Sequence, residues 1–319
     1  IEYQLHLPPG EHSALPLLIW LNDDGLTSTD GLDLWRKRLG DKVAIVAVDA
    51  PFRETLSDLS TGGRWFWPDS FAADVGRMVT GIERIWGYVM RHYEIDPQRI
   101  CVAGEGAGGT IVAAVALLSD RMEMQAVAVE PTRYAKLKDI PLPLAELWGD
   151  VIPPHKSLQV LVKQADEAWW SDELSQYEEQ GMKTELKTRT DDPWWRELQV
   201  ENAILRSLGA DAKSPKTIQS RRYLLISSDS PRQRHWARLQ AIWAEVEYGD
   251  AVAVVQQVPE NAAEQIPLNV RPELCLSGDA LPVCPGPFGG TTVIVVDKSQ
   301  LDVWLDVEKA DPLAKRSRF

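Results

Sequence analysis

The stretch Asp96-Pro97-Gln98-Arg99-Ile100-Cys101-Val102-Ala103-Gly104-Glu105-Gly106-Ala107-Gly108-Gly109 decides how the chain reads. Ile100 to Ala103 is a short apolar run of the kind that forms a buried strand. Four glycines follow within six positions, and Thr110 to Leu118 then offers a small apolar helix. Glycines at such a strand-to-helix turn allow positive φ and close approach of helix to sheet. Cys101, inside the strand, reads as a buried core thiol rather than a nucleophile.

Outward from this turn, apolar runs alternate with helical patterns. Leu15 to Leu21 and Val43 to Val48 are strands on the amino-terminal side, ending at Asn22-Asp23-Asp24-Gly25 and Asp49-Ala50-Pro51. Phe71, Val75, Met78, Ile82, Ile85, Val89 and Tyr93 recur at spacings of three and four, which predicts a long amphipathic helix. Beyond the turn, Gln125 to Val129, Leu158 to Val162 and Met182 to Thr188 are further strands, with a polar helix near Asp172 to Gln180. Near-continuous apolar strands separated by helices imply a mostly parallel sheet covered on both faces. Ligands of such sheets bind beyond the carboxyl ends of the strands.

The quoted stretch resembles the strand and nucleophile elbow of the α/β-hydrolase fold, in particular the phospholipase/carboxylesterase-like esterases. These carry an Asp-x-x-Arg-Ile/Val lead-in and then Gly-x-Ser-x-Gly-Gly opening a helix. The pattern stands here except that Gly106 occupies the nucleophile's position. Gly62-Gly63-Arg64-Trp65-Phe66-Trp67-Pro68 is similar to the Arg-Trp loop ahead of the long helix, and Val162 to Asp166 resembles the strand end that supplies the catalytic acid. The resemblance covers about 190 residues and implies an α/β-hydrolase-type, mostly parallel sheet. By this alignment the triad positions are Gly106, Asp166 and Asp192: a glycine for the nucleophile and no histidine on the Thr190 to Trp195 turn. A glycine cannot form an acyl-enzyme. The expectation is a degenerate serine hydrolase that binds an unknown small ligand or protein.

Other readings of the same residues stay open. Gly104-x-Gly106-x-x-Gly109 after a strand, with Glu130 ending the next one, also fits a dinucleotide-binding turn. A divergent hydrolase is a further alternative, using Ser227 or Ser228 as nucleophile or a metal-activated water. Strand-end carboxylates Asp23, Asp24, Asp49, Glu105, Glu130, Asp166, Asp191 and Asp192 would gather on one edge. Taken singly they suit turns and helix N-caps; together they would form a negative mouth unless a cation is near. Expected ligand-binding residues are Asp23, Asp24, Glu105, Ala107 and Glu130, with Trp65 and Trp194 from the aromatic loops. No cofactor is required, but calcium on Asp23, Asp24, Glu130 and Asp166 is the metal these hard oxygens would suit.

Composition limits the remaining classes. The 319 residues include 47 acidic and 34 basic side chains, a formal charge of −13, which argues against nucleic acid as a partner. No apolar run approaches the roughly 18 residues that cross a bilayer, and the mean hydropathy is −0.24. The chain opens at Ile1 without a charged, apolar leader, so a targeting peptide is expected to be absent or already removed, and the protein to be soluble in or outside the cytoplasm. Residues 211–319 are nearly neutral, with 13 basic and 14 acidic side chains, while residues 1–210 carry 21 and 33. Gly209 to Lys216 reads as a linker between them. The expected division is an α/β-hydrolase-like domain over 1–210 and a small α+β module over 211–319. In the module, Tyr223 to Ser227, Ala251 to Val258, Thr292 to Val296 and Leu301 to Val307 read as strands, and Pro231 to Tyr248 as a helix. Cys275 and Cys284 could pair in an oxidising compartment.

Overall fold

Five apolar runs form the centre of one sheet in the computed structural model of the chain. It describes residues 1–10, 14–55, 61–119, 121–132, 156–179, 181–189 and 193–211. Four later strands, His235 and Leu239 are also described. The five runs are β2 (Leu15–Leu21), β3 (Ala44–Val48), β6 (Ile95–Glu105), β7 (Gln125–Val129) and β8 (Ser157–Val162). β1 (Tyr3–His6) and β9 (Lys183–Thr188) close the two edges, and β4 (Phe52–Thr55) pairs with β5 (Thr61–Arg64) as a separate hairpin. The order is β1-β3-β2-β6-β7-β8-β9, with β1 antiparallel to β3 and every other neighbouring pair parallel. This is the α/β-hydrolase arrangement that the elbow implied.

Helices alternate with these strands because a parallel connection must cross back over a sheet face. They are α1 (Ser28–Leu39), α2 (Phe71–His92), α3 (Gly106–Leu118), α4 (Glu167–Glu178) and α5 (Pro193–Ser207). Leu17, Ile19 and Leu21 of β2 share one core with Val75, Ile82 and Val89 of α2, Ile111 and Val115 of α3, and Trp170 and Leu174 of α4. The alternate residues of β2 face the other way, where Trp20 packs on Trp35 of α1 with ring centroids 4.8 Å apart. On that side α5 buries Val200, Ala203 and Ile204 and ties to α1 through the Arg38–Glu201 ion pair at 3.1 Å. Both faces of the central strands are therefore dry, which is why they read as continuous apolar runs rather than alternating ones.

α5 is the element the sequence reading passed over. Its opening, Asp191-Asp192-Pro193, reads as a turn, yet a proline at the first helical position is a helix-start signal. β6 also begins five residues earlier than expected, at Ile95 rather than Ile100. The hydrogen bond that Ser207 makes to Cys101 places α5 over β6. Burial raises the Cys101 thiol to about 12 despite that bond, so it stays a neutral core side chain.

Contacts divide the chain into one unit of Ile1–Asp191 with Leu198–Lys213, and a second of Asp192–Glu197 with Ser214–Phe319. The second holds a four-stranded sheet of β10 (Arg221–Ile226), β11 (Ala251–Gln256), β12 (Val283–Pro285) and β13 (Thr292–Asp297). Its order is β11-β10-β13-β12, with β10 and β11 parallel and the other pairs antiparallel. The strand expected over Leu301 to Val307, most of the expected helix over Pro231 to Tyr248, and Cys275 lie outside the described residues. Among the described residues no helix is long and apolar enough to cross a membrane.

Candidate functional site

The strand-to-helix turn is as tight as the sequence predicts. β6 ends at Glu105 and α3 starts directly at Gly106, whose φ of +58 lies in the left-handed region that favours glycine. The flanking glycines have a different reason to be there. A Cβ on Gly104 would stand 2.7 Å from the carbonyl oxygen of Leu21, and one on Gly109 2.8 Å from that of Val129. They let α3 lie directly on β2 and β7.

At Gly106 itself the obstacle is a side chain. A Cβ there would overlap the carboxylate of Asp23, 2.6 Å from Oδ2 and nearer still to Oδ1 and Cγ. Asp23 Oδ1 accepts the backbone N–H of Ala107 at 2.9 Å and that of Asp24 at 2.9 Å. In an α/β-hydrolase the N–H following the nucleophile is an oxyanion-hole donor. Here that donor holds an internal carboxylate, which also suits the positive end of α3. A dinucleotide pyrophosphate would need the same helix N-terminus and would meet a negative charge already seated on it.

The loop carrying Asp23 is braced from several directions. Asn22 is buried; its Oδ1 accepts the indole N–H of Trp20 and its Nδ2 donates to the carbonyl of Thr27, each at 2.7 Å. Trp65 donates its indole N–H to the carbonyl of Asn22 at 2.7 Å and its backbone N–H to Asp24 Oδ1 at 3.0 Å. Gly25 donates to the carbonyl of Gly63 at 2.7 Å, an approach a Cβ on Gly62 would prevent. Trp65, expected as a ligand platform, is fully buried and serves as that brace. The aromatic that does face solvent in this loop is Trp67, 41% exposed, with the Arg64 guanidinium 4.6 Å from its ring centre.

The other strand-end carboxylates are also engaged. Asp49 accepts the N–H and the hydroxyl of Ser28 at 2.6 and 2.7 Å, holding the start of α1. Glu130, in a positive-φ conformation of 44°, faces Arg189 at 2.7 Å and Lys163 at 3.4 Å. The Arg189 side chain is only 3% exposed. The negative mouth expected at this edge is thus corrected for Asp23, Asp24, Asp49 and Glu130, whose charges donors and cations of the protein itself answer. Glu105 and Asp166 occupy the cap positions of α3 and α4. Among the described residues no group of three or more His, Cys, Asp or Glu side chains is placed to hold a metal ion, so Asp23, Asp24, Glu130 and Asp166 do not form the calcium cluster considered above. Asp191, Asp192 and the side chain of Trp194 lie outside the described residues, as do Ser227 and Ser228.

Two of the first unit's histidines stand at the far edge of the sheet. His6 pairs with Ile45, near the start of β3, and lies 3.5 Å from Asp41. His92 sits in the last turn of α2, stacked on Tyr88, just before β6 begins. Gly106 is at the opposite end of β6. His12 and His155 lie outside the described residues, and His235 belongs to the second unit.

The sequence reading missed Asn22, Lys163 and Arg189. The last two carried a usable signal, because a basic residue directly follows β8 and β9 where ligand-facing residues gather.

No protein-family model matches the chain, and no curated protein does. Solved structures similar to it include a protein of unknown function from Agrobacterium tumefaciens, at 14% identity and a TM-score of 0.49, covering 65% of this chain and 96% of that one. A carboxylesterase from Bacillus cereus is 13% identical with a TM-score of 0.45, over 65% and 94% of the two chains. A carboxylesterase from Mesorhizobium loti is 17% identical with a TM-score of 0.41, over 54% and 78%.

Proposed function

We propose that this chain is an esterase-like α/β-hydrolase-fold protein without serine-hydrolase chemistry, acting by binding a ligand or partner. One observation carries the reading: the Asp23 carboxylate fills the space of the missing nucleophile side chain and takes the Ala107 N–H. Acyl transfer requires a nucleophile, a base to activate it and donors kept free for the developing oxyanion. Gly106 supplies no nucleophile, and the carboxylate repels the charge that the donor would stabilise. The retained elbow backbone is then part of the packing between α3 and β2.

The test is a panel of p-nitrophenyl esters of increasing acyl length. The expected result is no turnover above buffer, for the native chain and for Gly106→Ser alike, since a new serine would meet Asp23 and find no histidine among the described residues. Saturable turnover lost in Asp166→Ala would overturn the proposal.

A further inference from the structure

A second feature lies on the outer face of α2, in its last three turns, toward the edge of the sheet opposite the elbow. The helix and the turn after α3 enclose a groove of about 650 Å³, within the range of small-molecule sites. Its apolar surface includes Trp86 and Met90, and Gly87 adds no side chain to it. Arg84, Arg91 and Arg121 also line it. Three guanidiniums around one apolar surface run against the charge of residues 1–210, which carry 33 acidic and 21 basic side chains.

The arginines point to an acceptor missing from the protein itself. Arg91 uses its Nε on the carbonyl of Gly87 at 2.8 Å, and Arg84 makes no hydrogen bond or ion pair among the described residues. The carboxylate in the groove, Glu83, already accepts the Ser119 hydroxyl at 2.6 Å.

We infer that this groove binds a small amphiphilic anion, a carboxylate or phosphate head carrying an alkyl or aryl tail. The head is held by Arg84 and Arg91, and the tail lies along Trp86 and Met90. Guanidinium is suited to such heads because it offers planar, paired donors. The site shares no residue with the elbow, so its existence does not depend on the elbow being silent.

The experiment is calorimetry of the full chain with decyl phosphate and decanoate below their micellar concentrations. Inorganic phosphate reports the head alone, and decyltrimethylammonium reports a tail with the wrong charge. Saturable one-to-one binding of the two anions is expected, at least about tenfold tighter than inorganic phosphate, with no binding of the cation. Arg84→Ala with Arg91→Ala should weaken decyl phosphate by about tenfold or more, and Met90→Ala by about threefold to tenfold, with unchanged circular dichroism. Asp23→Ala should leave binding unaltered. Absence of binding, equal binding of the ammonium, undiminished binding by the variants, or heat with an acidic peptide but not with decyl phosphate would overturn the inference.

Discussion

The carboxyl edge of the sheet neutralises its negative charges in two different ways. Over β2 and β6, Asp23 and Asp24 are held by neutral donors, the backbone N–H groups of Ala107, Asp24 and Trp65. Over β7, β8 and β9, Glu130 is held by full charges, Arg189 and Lys163. The first half is a welded loop in which backbone geometry dictates the carboxylate's place. The second is a charge triad assembled from three strand ends. A dipole-held carboxylate can lose its charge at modest cost, whereas a buried ion pair that loses one member leaves an uncompensated charge behind.

The largest effect should therefore come from the second half. Arg189→Leu, which leaves Glu130 only the exposed Lys163, should cost about 3 kcal/mol of unfolding free energy, read from urea titration by tryptophan fluorescence. Adding Glu130→Leu should recover most of it, since an apolar pair can replace a buried ionic one. A single variant as stable as the native chain would mean the two halves do not differ.

Gly106→Ala in the first half should cost about 2 kcal/mol, from its positive φ and the collision with Asp23. In an Asp23→Ala background the same substitution should cost about half as much, because only the backbone strain remains. An unchanged cost in both backgrounds would show that Asp23 does not fill the elbow.

The smallest effect lies away from both halves and gives a reference for a half-buried pair. The hydrogen bond from Arg99 (2.6 Å), and then that from the Gln98 N–H, hold the Asp96 carboxyl below its ordinary 3.8. A depressed carboxyl stabilises the fold above its unfolded value, and that contribution is lost as pH falls from 3.8 through the folded value. In Arg99→Ala, carbon-detected NMR should show Asp96 titrating closer to 3.8, with a slightly smaller loss of stability in acid. An unshifted Asp96 titration would remove the reference.

Local pattern made much of the frame legible. The apolar runs at Leu15 to Leu21 and Gln125 to Val129 became strands with the expected bounds, and the period of α2 matched its buried face of Val75, Met78, Ile82 and Val89. Trp65 misled because loop tryptophans read alike whether they face a ligand or brace a neighbouring loop. Its buried position depends on Asn22, 43 positions earlier. Glu130 misled for the same reason, as its partner Arg189 lies 59 positions away. α5 was within reach of the sequence, through Pro193 and the spacing of Val200, Ala203 and Ile204, but its two aspartates and adjoining tryptophans imitated a turn.

What the sequence determined by itself is a strand, a glycine-rich bend and a helix with no side chain at residue 106, because those properties belong to consecutive residues. What fills that gap was decided only by the tertiary structure. Asp23 is 84 positions from Ala107 and reaches it because β2 lies beside β6, with Leu21 in register with Gly104. A hydrogen bond between chain-distant groups exists only after the sheet has brought them together, so no local pattern announces it.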